Sequence, residues 1–358
     1  MNITLELTNS PKVKPNFSNG VVPFGKVITD HMFLMDYTEG RGWENPRIVP
    51  HGPLQFDPSC VSFHYAQTIF EGLKAYKTSD GQVTLFRPNE NAARFNNSAH
   101  RMYMPQLPEE YFVQSVKKVV EVDKSWIPSA LGTSLYIRPF MMATEATLNL
   151  TYPQNFMFCI LLCPVGHLSG AFKPVRMLVE EHFVRAAPGG TGFAKCGGNY
   201  AGAMRASFEV KDKGYDQALW LDAVDRKYIE EASAMNIFFM IDEKVITPET
   251  GDTVLSGITR KSVIQLIKDM GITVEERKID IQEIVDAYSN GKLKEVFSAG
   301  TAAVITPVGE INYKGNQMIF SNGKVGELSQ KLYDTLTGIQ TGVIQDKHGW
   351  VVKVGQPH

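Results

Sequence analysis

Residues 189–200 read Gly-Gly-Thr-Gly-Phe-Ala-Lys-Cys-Gly-Gly-Asn-Tyr, a run that suits no helix or strand interior. Five glycines fall within ten residues, and each costs a regular element about 1 kcal/mol relative to alanine. The run is expected to form a tight loop whose backbone approaches a ligand closely. Its single lysine, Lys195, follows Phe193 and Ala194. Burial among apolar neighbours disfavours the charged amine, and a neutral amine is a nucleophile able to form a Schiff base. On spacing alone, the ordinary alternative is a solvated lysine on a surface loop.

At 358 residues the chain is comfortable for two domains. Its 36 basic and 38 acidic residues nearly balance, and no basic tract carries interleaved aromatics, so no nucleic-acid partner is expected. The longest apolar run, Phe156 to Val165, has ten residues, about half a membrane span, and no membrane association is expected. The first residues alternate polar and apolar side chains without a basic segment leading into an apolar one, which reads as no signal peptide. Four cysteines in a chain of this size read as reduced thiols of a cytoplasmic protein. No CxxC, HxxxH or HExxH occurs, and no metal site is expected.

Apolar periodicity places the main elements. Val83–Phe86 reads as a strand ended by Pro88, with a helix from Asn89 to Met102. Phe112, Val113, Val116, Val119 and Val120 make a helical stripe over Glu109–Val122. Ser134–Arg138 and Phe156–Cys163 read as buried strands. Gly166–Pro174 breaks regularity, and residues 166–178 are read as a linker between a domain at 1–165 and one at 179–358. Beyond it come a strand over Val175–Val179, a helix from about Tyr200 to Lys213, and a strand over Ala218–Asp222. A hairpin follows over Met235–Thr247, then a helix carrying Val263, Leu266, Ile267 and Met270, and a last helix carrying Leu328, Leu332, Leu336 and Ile339.

One short segment has a chemistry of its own. Ser256, Gly257, Ile258 and Thr259 open a predicted helix, where free backbone N–H groups and the helix dipole favour a dianion such as phosphate. Simple capping by Ser256 is the plainer alternative.

Phe183–Tyr200 resembles the cofactor-lysine segment of fold-type IV pyridoxal-phosphate enzymes, and specifically of large-type branched-chain amino acid aminotransferases. Six more segments resemble the same family in the same order: Phe24–His31, Ser62–Tyr65 with Phe70–Ala75, Phe86–Pro88 with Arg94, Glu230–Phe238, Leu255–Arg260 and Gly300–Ala302. The resemblance implies an α/β and α+β architecture of two domains. The smaller, N-terminal one is α+β, and the larger, C-terminal one is α/β with a mixed pseudo-barrel sheet.

It also implies pyridoxal 5′-phosphate as cofactor, with Lys195 as catalytic amine and Schiff-base carrier. Glu231 matches the partner of the pyridine nitrogen, although two adjacent glutamates leave a solvated turn as the alternative. Arg94, Ile258, Thr259 and Thr301 fall on positions that hold the phosphate, and Tyr200 matches the tyrosine that bonds the ring oxygen. Arg185 is a further matching position without a specific role. Phe24, Tyr65, Phe70 and Tyr136 match residues lining an apolar box for the substrate side chain. Thr301 and Ala302 match those meeting the α-carboxylate, and Arg138 the one accommodating glutamate's distal carboxylate.

The implied reaction moves an amino group between L-leucine, L-isoleucine or L-valine and 2-oxoglutarate, in a homodimer. Amino acids and 2-oxo acids are then the expected small-molecule partners. Some large-type relatives carry a redox CxxC after the Gly-Thr-Ala turn, whereas this chain has Ala303–Thr306, so thiol regulation of that kind is not expected. Rival readings are a D-amino acid aminotransferase or aminodeoxychorismate lyase of the same fold, and a non-catalytic homologue. A nucleotide-binding loop is disfavoured because Lys195 is followed by cysteine rather than Ser or Thr.

Overall fold

The computed structural model describes residues 1–17, 22, 24–130, 132–166 and 172–355. Residues 167–171 of the expected linker lie outside the described residues. Contacts divide the chain into two compact units. One comprises Met1–Gly170, Ala194–Gly198 and Gly338–His358, the other Ala171–Phe193 and Asn199–Thr337. The segment around Lys195 and the C-terminal end thus pack with the N-terminal part rather than with the residues that flank them in sequence.

The first unit is built on a nine-stranded sheet among the described residues. At its centre, Asn155–Val165 pairs antiparallel with both His31–Thr38 and Ser134–Ala143. Strand period two gives this sheet two different faces. Leu135, Ile137, Met141 and Ala143 enter the main core with Phe158 and Ile160. Helices Pro88–Arg101 and Glu109–Val122 cover that face with Phe95, Phe112, Val116 and Val120. The alternate residues Tyr136 and Arg138 point to the opposite face. Ser134–Ala143 is longer than the expected five-residue strand because it keeps pairing along its whole length.

One interruption in this sheet matters for the site. Thr68–Phe70 and Leu73–Lys77 both pair with Ser134–Ala143, and the gap between them holds Glu71 and Gly72. Opposite the gap stands Pro139, which has no N–H to offer a ladder. Its carbonyl still accepts the Glu71 N–H at 2.8 Å.

The second unit carries a nine-stranded mixed sheet among the described residues. Val175–Glu180 runs parallel to both Gln217–Leu221 and Val304–Tyr313, while Leu293–Gly300 pairs antiparallel with Asn236–Ile241 and Val304–Tyr313. The expected hairpin forms as Asn236–Ile241 and Lys244–Thr247. The helix expected from Tyr200 spans Gly197–Asp212 instead. First-turn N–H groups have no intrahelical partner in any case, so glycines are cheaper there than in an interior.

Candidate active site

In the first unit, Lys195 is fixed by its backbone. Its carbonyl accepts the Phe70 N–H at 2.9 Å, its own N–H donates to Ser98 Oγ at 2.9 Å, and Cys196 bridges to Ile69 as a short antiparallel ladder. A Cβ on Gly197 would meet Thr68 Oγ1 at 2.6 Å, so this close approach requires glycine. The half-buried side chain of Lys195 places Nζ 4.8 Å from the centroid of the Phe70 ring.

Glu71, fully buried at the strand interruption, organises the surroundings. Its carboxylate accepts from Arg94 Nε at 2.7 Å, Arg94 Nη2 at 2.8 Å, Asn91 Nδ2 at 2.7 Å and the Gly72 N–H at 3.1 Å. Burial pushes this carboxyl up, but the Arg94 guanidinium, with Lys195 and Asn91, outweighs it and holds the group below the usual range. A guanidinium has five N–H donors, and Glu71 takes two of Arg94's. Arg94 is thereby aligned in a fixed plane suited to an oxyanion.

On the sheet face opposite the main core, the structure gathers Phe24, Phe70, Tyr136 and Arg138. Phe24 meets Tyr136 edge-on with centroids 5.0 Å apart. The Arg138 guanidinium lies 4.7 Å from the Phe70 centroid, and its Nη2 donates to the Tyr136 hydroxyl at 3.1 Å. Arg138 Nε is buried without a hydrogen-bond partner. Lys74 opposes Tyr136 in the ladder and is buried, which pulls its pKa down to about 8. Tyr65 is held differently. It is 42% exposed, and its hydroxyl donates to the Leu148 carbonyl at 2.7 Å.

In the second unit, Glu231 is 2% exposed. Its Oε1 accepts the Leu255 N–H at 2.6 Å, and Oε2 lies 3.3 Å from Arg185 Nε, close enough for an ion pair though not aligned as a hydrogen bond. Arg185 also donates from Nη2 to the carbonyls of Gly192 and Thr253. These contacts exclude the solvated-turn alternative for Glu231 and give Arg185 a definite place beside it.

Ile258 and Thr259 open helix Ile258–Asp269. Its N-cap is Gly257 without a side-chain cap, so Ser256 does not play that role. Gly257 has ordinary backbone angles. Glycine is needed because a Cβ there would collide with Asn236 Oδ1. Asn236 in turn donates to the Leu255 carbonyl at 2.9 Å. Thr301 and Ala302 are half-buried in the turn between Leu293–Gly300 and Val304–Tyr313. The turn ends on Val304 at φ 65°, a conformation costing a β-branched residue on the order of 1–3 kcal/mol. Tyr200 is half-buried in the first turn of helix Gly197–Asp212.

Residues 68–311 match the family described as amino-transferase class IV. The chain belongs to the class IV aminotransferases. Within them it groups with the branched-chain enzymes. It is 49% identical over 354 residues to branched-chain-amino-acid transaminase 1 of Bacillus subtilis, covering 98% of this chain and 99% of that one. Among solved structures it resembles the Escherichia coli branched-chain amino acid aminotransferase, with a TM-score of 0.78 and 26% identity over 91% of this chain and 99% of that one. It also resembles a T.th. branched-chain amino acid aminotransferase complexed with N-(5′-phosphopyridoxyl)-L-glutamate, with a TM-score of 0.72 and 28% identity over 90% and 98% of the respective chains. The fold is therefore that of the fold-type IV enzymes.

Class IV aminotransferases use pyridoxal phosphate, and each unit carries groups of a kind that suit it. The first unit has an amine on a backbone-fastened loop and a guanidinium aligned by Glu71. The second unit has a buried carboxylate with both oxygens engaged and a helix that starts on glycine. Sequence reasoning gave no role to Glu71, Asn91, Ser98, Lys74, Asn236 or Thr253. The only signal for Glu71 and Lys74 was their place inside the Phe70–Ala75 segment. Among the described residues no helix is long and apolar enough to cross a membrane, and no cluster of His, Cys, Asp and Glu is suited to a metal.

Proposed function

We propose that this chain is a branched-chain amino acid aminotransferase. It moves the amino group reversibly between L-leucine, L-isoleucine or L-valine and 2-oxoglutarate, giving the branched 2-oxo acids and L-glutamate. The observation that carries this reading is the end-to-end likeness to the Bacillus subtilis transaminase, on a chain that keeps Lys195 in a fastened loop.

When bound, pyridoxal phosphate supplies an electron sink that makes the substrate's Cα–H acidic. Lys195 Nζ would hold the cofactor by its aldehyde carbon. As a free base it would take the Cα proton, and as the resulting acid it would deliver that proton to the cofactor's C4′, the shift that transamination requires. Glu231, oriented by Leu255 and Arg185, keeps a proton on the pyridine nitrogen. Arg94, the N–H groups of Ile258 and Thr259, and the Thr301 hydroxyl hold the phosphate. Tyr200 bonds the ring oxygen.

Phe24, Tyr65, Phe70 and Tyr136 exclude water from the substrate side chain, whose burial contributes about 2–3 kcal/mol for leucine. Arg138 receives the distal carboxylate of glutamate, and the backbone N–H groups of Thr301 and Ala302 receive the α-carboxylate. Alternating use of an amino acid and a 2-oxo acid gives ping-pong kinetics. A cytoplasmic homodimer belongs to the same proposal, on likeness to the family, and light scattering of the purified protein tests the dimer.

The test is an absorption spectrum of the purified protein with and without L-leucine, beside Lys195→Ala. The expected result is a cofactor band that L-leucine converts and 2-oxoglutarate restores, and that the variant lacks. A band answering only to D-amino acids moves the reading to the D-specific relatives. Failure to bind pyridoxal phosphate even after reconstitution overturns it.

A further inference from the structure

The turn at residues 300–304 is strained, and one side chain from a neighbouring strand underlies both of its arms. Ser298 pairs with Thr306 and Gly300 with Val304, so these four residues share one face of the hairpin. Val304 closes the turn at φ 65°. A β-branched residue keeps such a conformation only where its surroundings over-determine it. Half-buried Met235 lies against that face. A Cβ on Gly300 would fall 2.9 Å from Met235 Cγ and 3.5 Å from its Sδ, so the methionine occupies the space that a side chain would take there. Its sulfur lies 3.9 Å from Ser298 Oγ and 3.8 Å from Thr306 Oγ1, and the hydroxyls of both arms donate to it. A thioether is a weak acceptor. Ser298 is wholly buried and Thr306 nearly so, however, and a buried hydroxyl left without an acceptor is costly. Met235 is also held from behind. It exchanges both backbone hydrogen bonds with Ala232 at 2.9 Å, across the two-residue turn 233–234. The Ser233 carbonyl accepts from Trp220 Nε1 at 3.0 Å, and the Ser233 N–H donates to the Ala218 carbonyl at 2.7 Å.

We propose that Met235 is a positioning residue: it wedges the 300–304 turn into the shape in which the Thr301 and Ala302 N–H groups receive the substrate's α-carboxylate. The wedge fills the space over Gly300 with an unbranched, adaptable side chain and ties the two arms of the turn to one atom. It stands on the same hairpin as Glu231, the acid assigned to the pyridine nitrogen, because Ala232 is its backbone partner. The role rests on the proposed function of Thr301 and Ala302. An α-carboxylate is common to L-leucine, its 2-oxo acid, glutamate and 2-oxoglutarate, so the wedge serves both half-reactions, whereas Arg138 is assigned to the distal carboxylate alone. That carboxylate takes no part in bond making, and it is held alike in the ground and transition states. Loosening the turn therefore raises KM and leaves kcat little changed.

The kinetic test uses the full-length enzyme saturated with pyridoxal phosphate, with melting curves as the control for folding. Met235→Ala is expected to raise KM for L-leucine and for 2-oxoglutarate by similar factors, on the order of 10-fold, the effect of one weakened charged hydrogen bond. Met235→Leu fills most of the same space and is expected to recover most of the loss. A fall in kcat with KM unchanged is what a merely structural role produces through a smaller folded fraction, and it overturns the proposal. A rise in KM confined to one substrate, or equal damage from both variants, overturns it too. A second arm needs neither cofactor nor turnover. In an NMR spectrum of isotope-labelled methionine methyl groups, the signal missing from Met235→Leu belongs to Met235. That signal is expected to shift in Ser298→Ala and in Thr306→Val. A signal that moves in neither overturns the contact between the sulfur and the two arms, whether or not the protein binds pyridoxal phosphate. If the wild type fails to transaminate L-leucine, the proposed function falls, while the spectrum still decides the contact.

Discussion

Arg94 and Glu71 meet as a two-pronged ion pair, Nε to Oε1 at 2.7 Å and Nη2 to Oε2 at 2.8 Å, with Glu71 wholly buried. Glu71→Gln keeps the shape and removes the charge that faces the buried Arg94 guanidinium. Losing one partner of a buried pair costs about 3–5 kcal/mol. The folded-state pKa of Glu71 lies below its ordinary 4.5, so its contribution is present above that pH and lost as pH falls through the folded value. Urea unfolding is therefore expected to show a large gap between wild type and variant at pH 7 that narrows as the buffer is acidified below pH 4.5. A gap that stays constant with pH would refute the ion-pair account.

Lys74 carries the opposite sign. Its pKa falls from 10.5 unfolded to about 8 in the fold because the ammonium is buried. Folding must lose this charge or carry it, so Lys74 lowers stability fully below pH 8, and the penalty fades as pH rises toward 10.5. At about 1.4 kcal/mol per pKa unit, the penalty is on the order of 3 kcal/mol. Lys74→Met is expected to be more stable than wild type at pH 7, with the difference shrinking by pH 10. Denaturant midpoints across that range check it. A variant less stable than wild type at pH 7 would show that the ammonium is a net stabiliser.

The amphipathic helices were legible because their apolar spacing answers to one buried face. The Val113–Val120 stripe lies where it was read, and Glu109–Val122 has the expected bounds. Strand Gly42–Pro50 was not legible, since Glu44, Asn45, Pro46 and Arg47 interrupt any alternation, and its pairing with His31–Thr38 overrides local preference. At the site, Lys195 and the Ser256–Thr259 helix start carried local signals of glycine content and capping chemistry. Glu71 carried none of its own, because its importance comes from a gap between two short strands that becomes visible only once Pro139 stands opposite. The roles of Thr253 and Asn236 likewise depend on a loop brought back to Arg185 and Gly257 by tertiary packing.

Gly257 gives a purely steric prediction. Its φ of −68° suits any residue, so Gly257→Ala introduces no backbone strain. The added methyl would instead strike Asn236 Oδ1, and Asn236 is also the donor to the Leu255 carbonyl. Overpacking of this kind costs about 1–3 kcal/mol, and the displaced helix start is expected to weaken pyridoxal phosphate binding. A double-mutant cycle with Asn236→Ala is expected to show coupling, because removing the struck side chain removes the clash. Additive effects would locate the role of Gly257 elsewhere.

Gly72 tests the substrate side in the same way. A Cβ there would fall on the Tyr136 hydroxyl, the acceptor for Arg138 Nη2. Gly72→Ala must therefore swing the tyrosine ring and unhitch the arginine. The apolar wall survives such a movement better than the cation does, because burial by Phe24 and Phe70 is non-directional whereas a carboxylate contact depends on where the guanidinium sits. The variant is expected to raise KM for 2-oxoglutarate by on the order of 10-fold, as for one charged hydrogen bond, and KM for L-leucine much less. Tyr136→Phe in the same background removes the struck oxygen and is expected to recover little of the 2-oxoglutarate affinity, since Arg138 then has no hydroxyl to hold it. Equal changes for both substrates would mean that Tyr136 shapes the whole pocket rather than orienting Arg138.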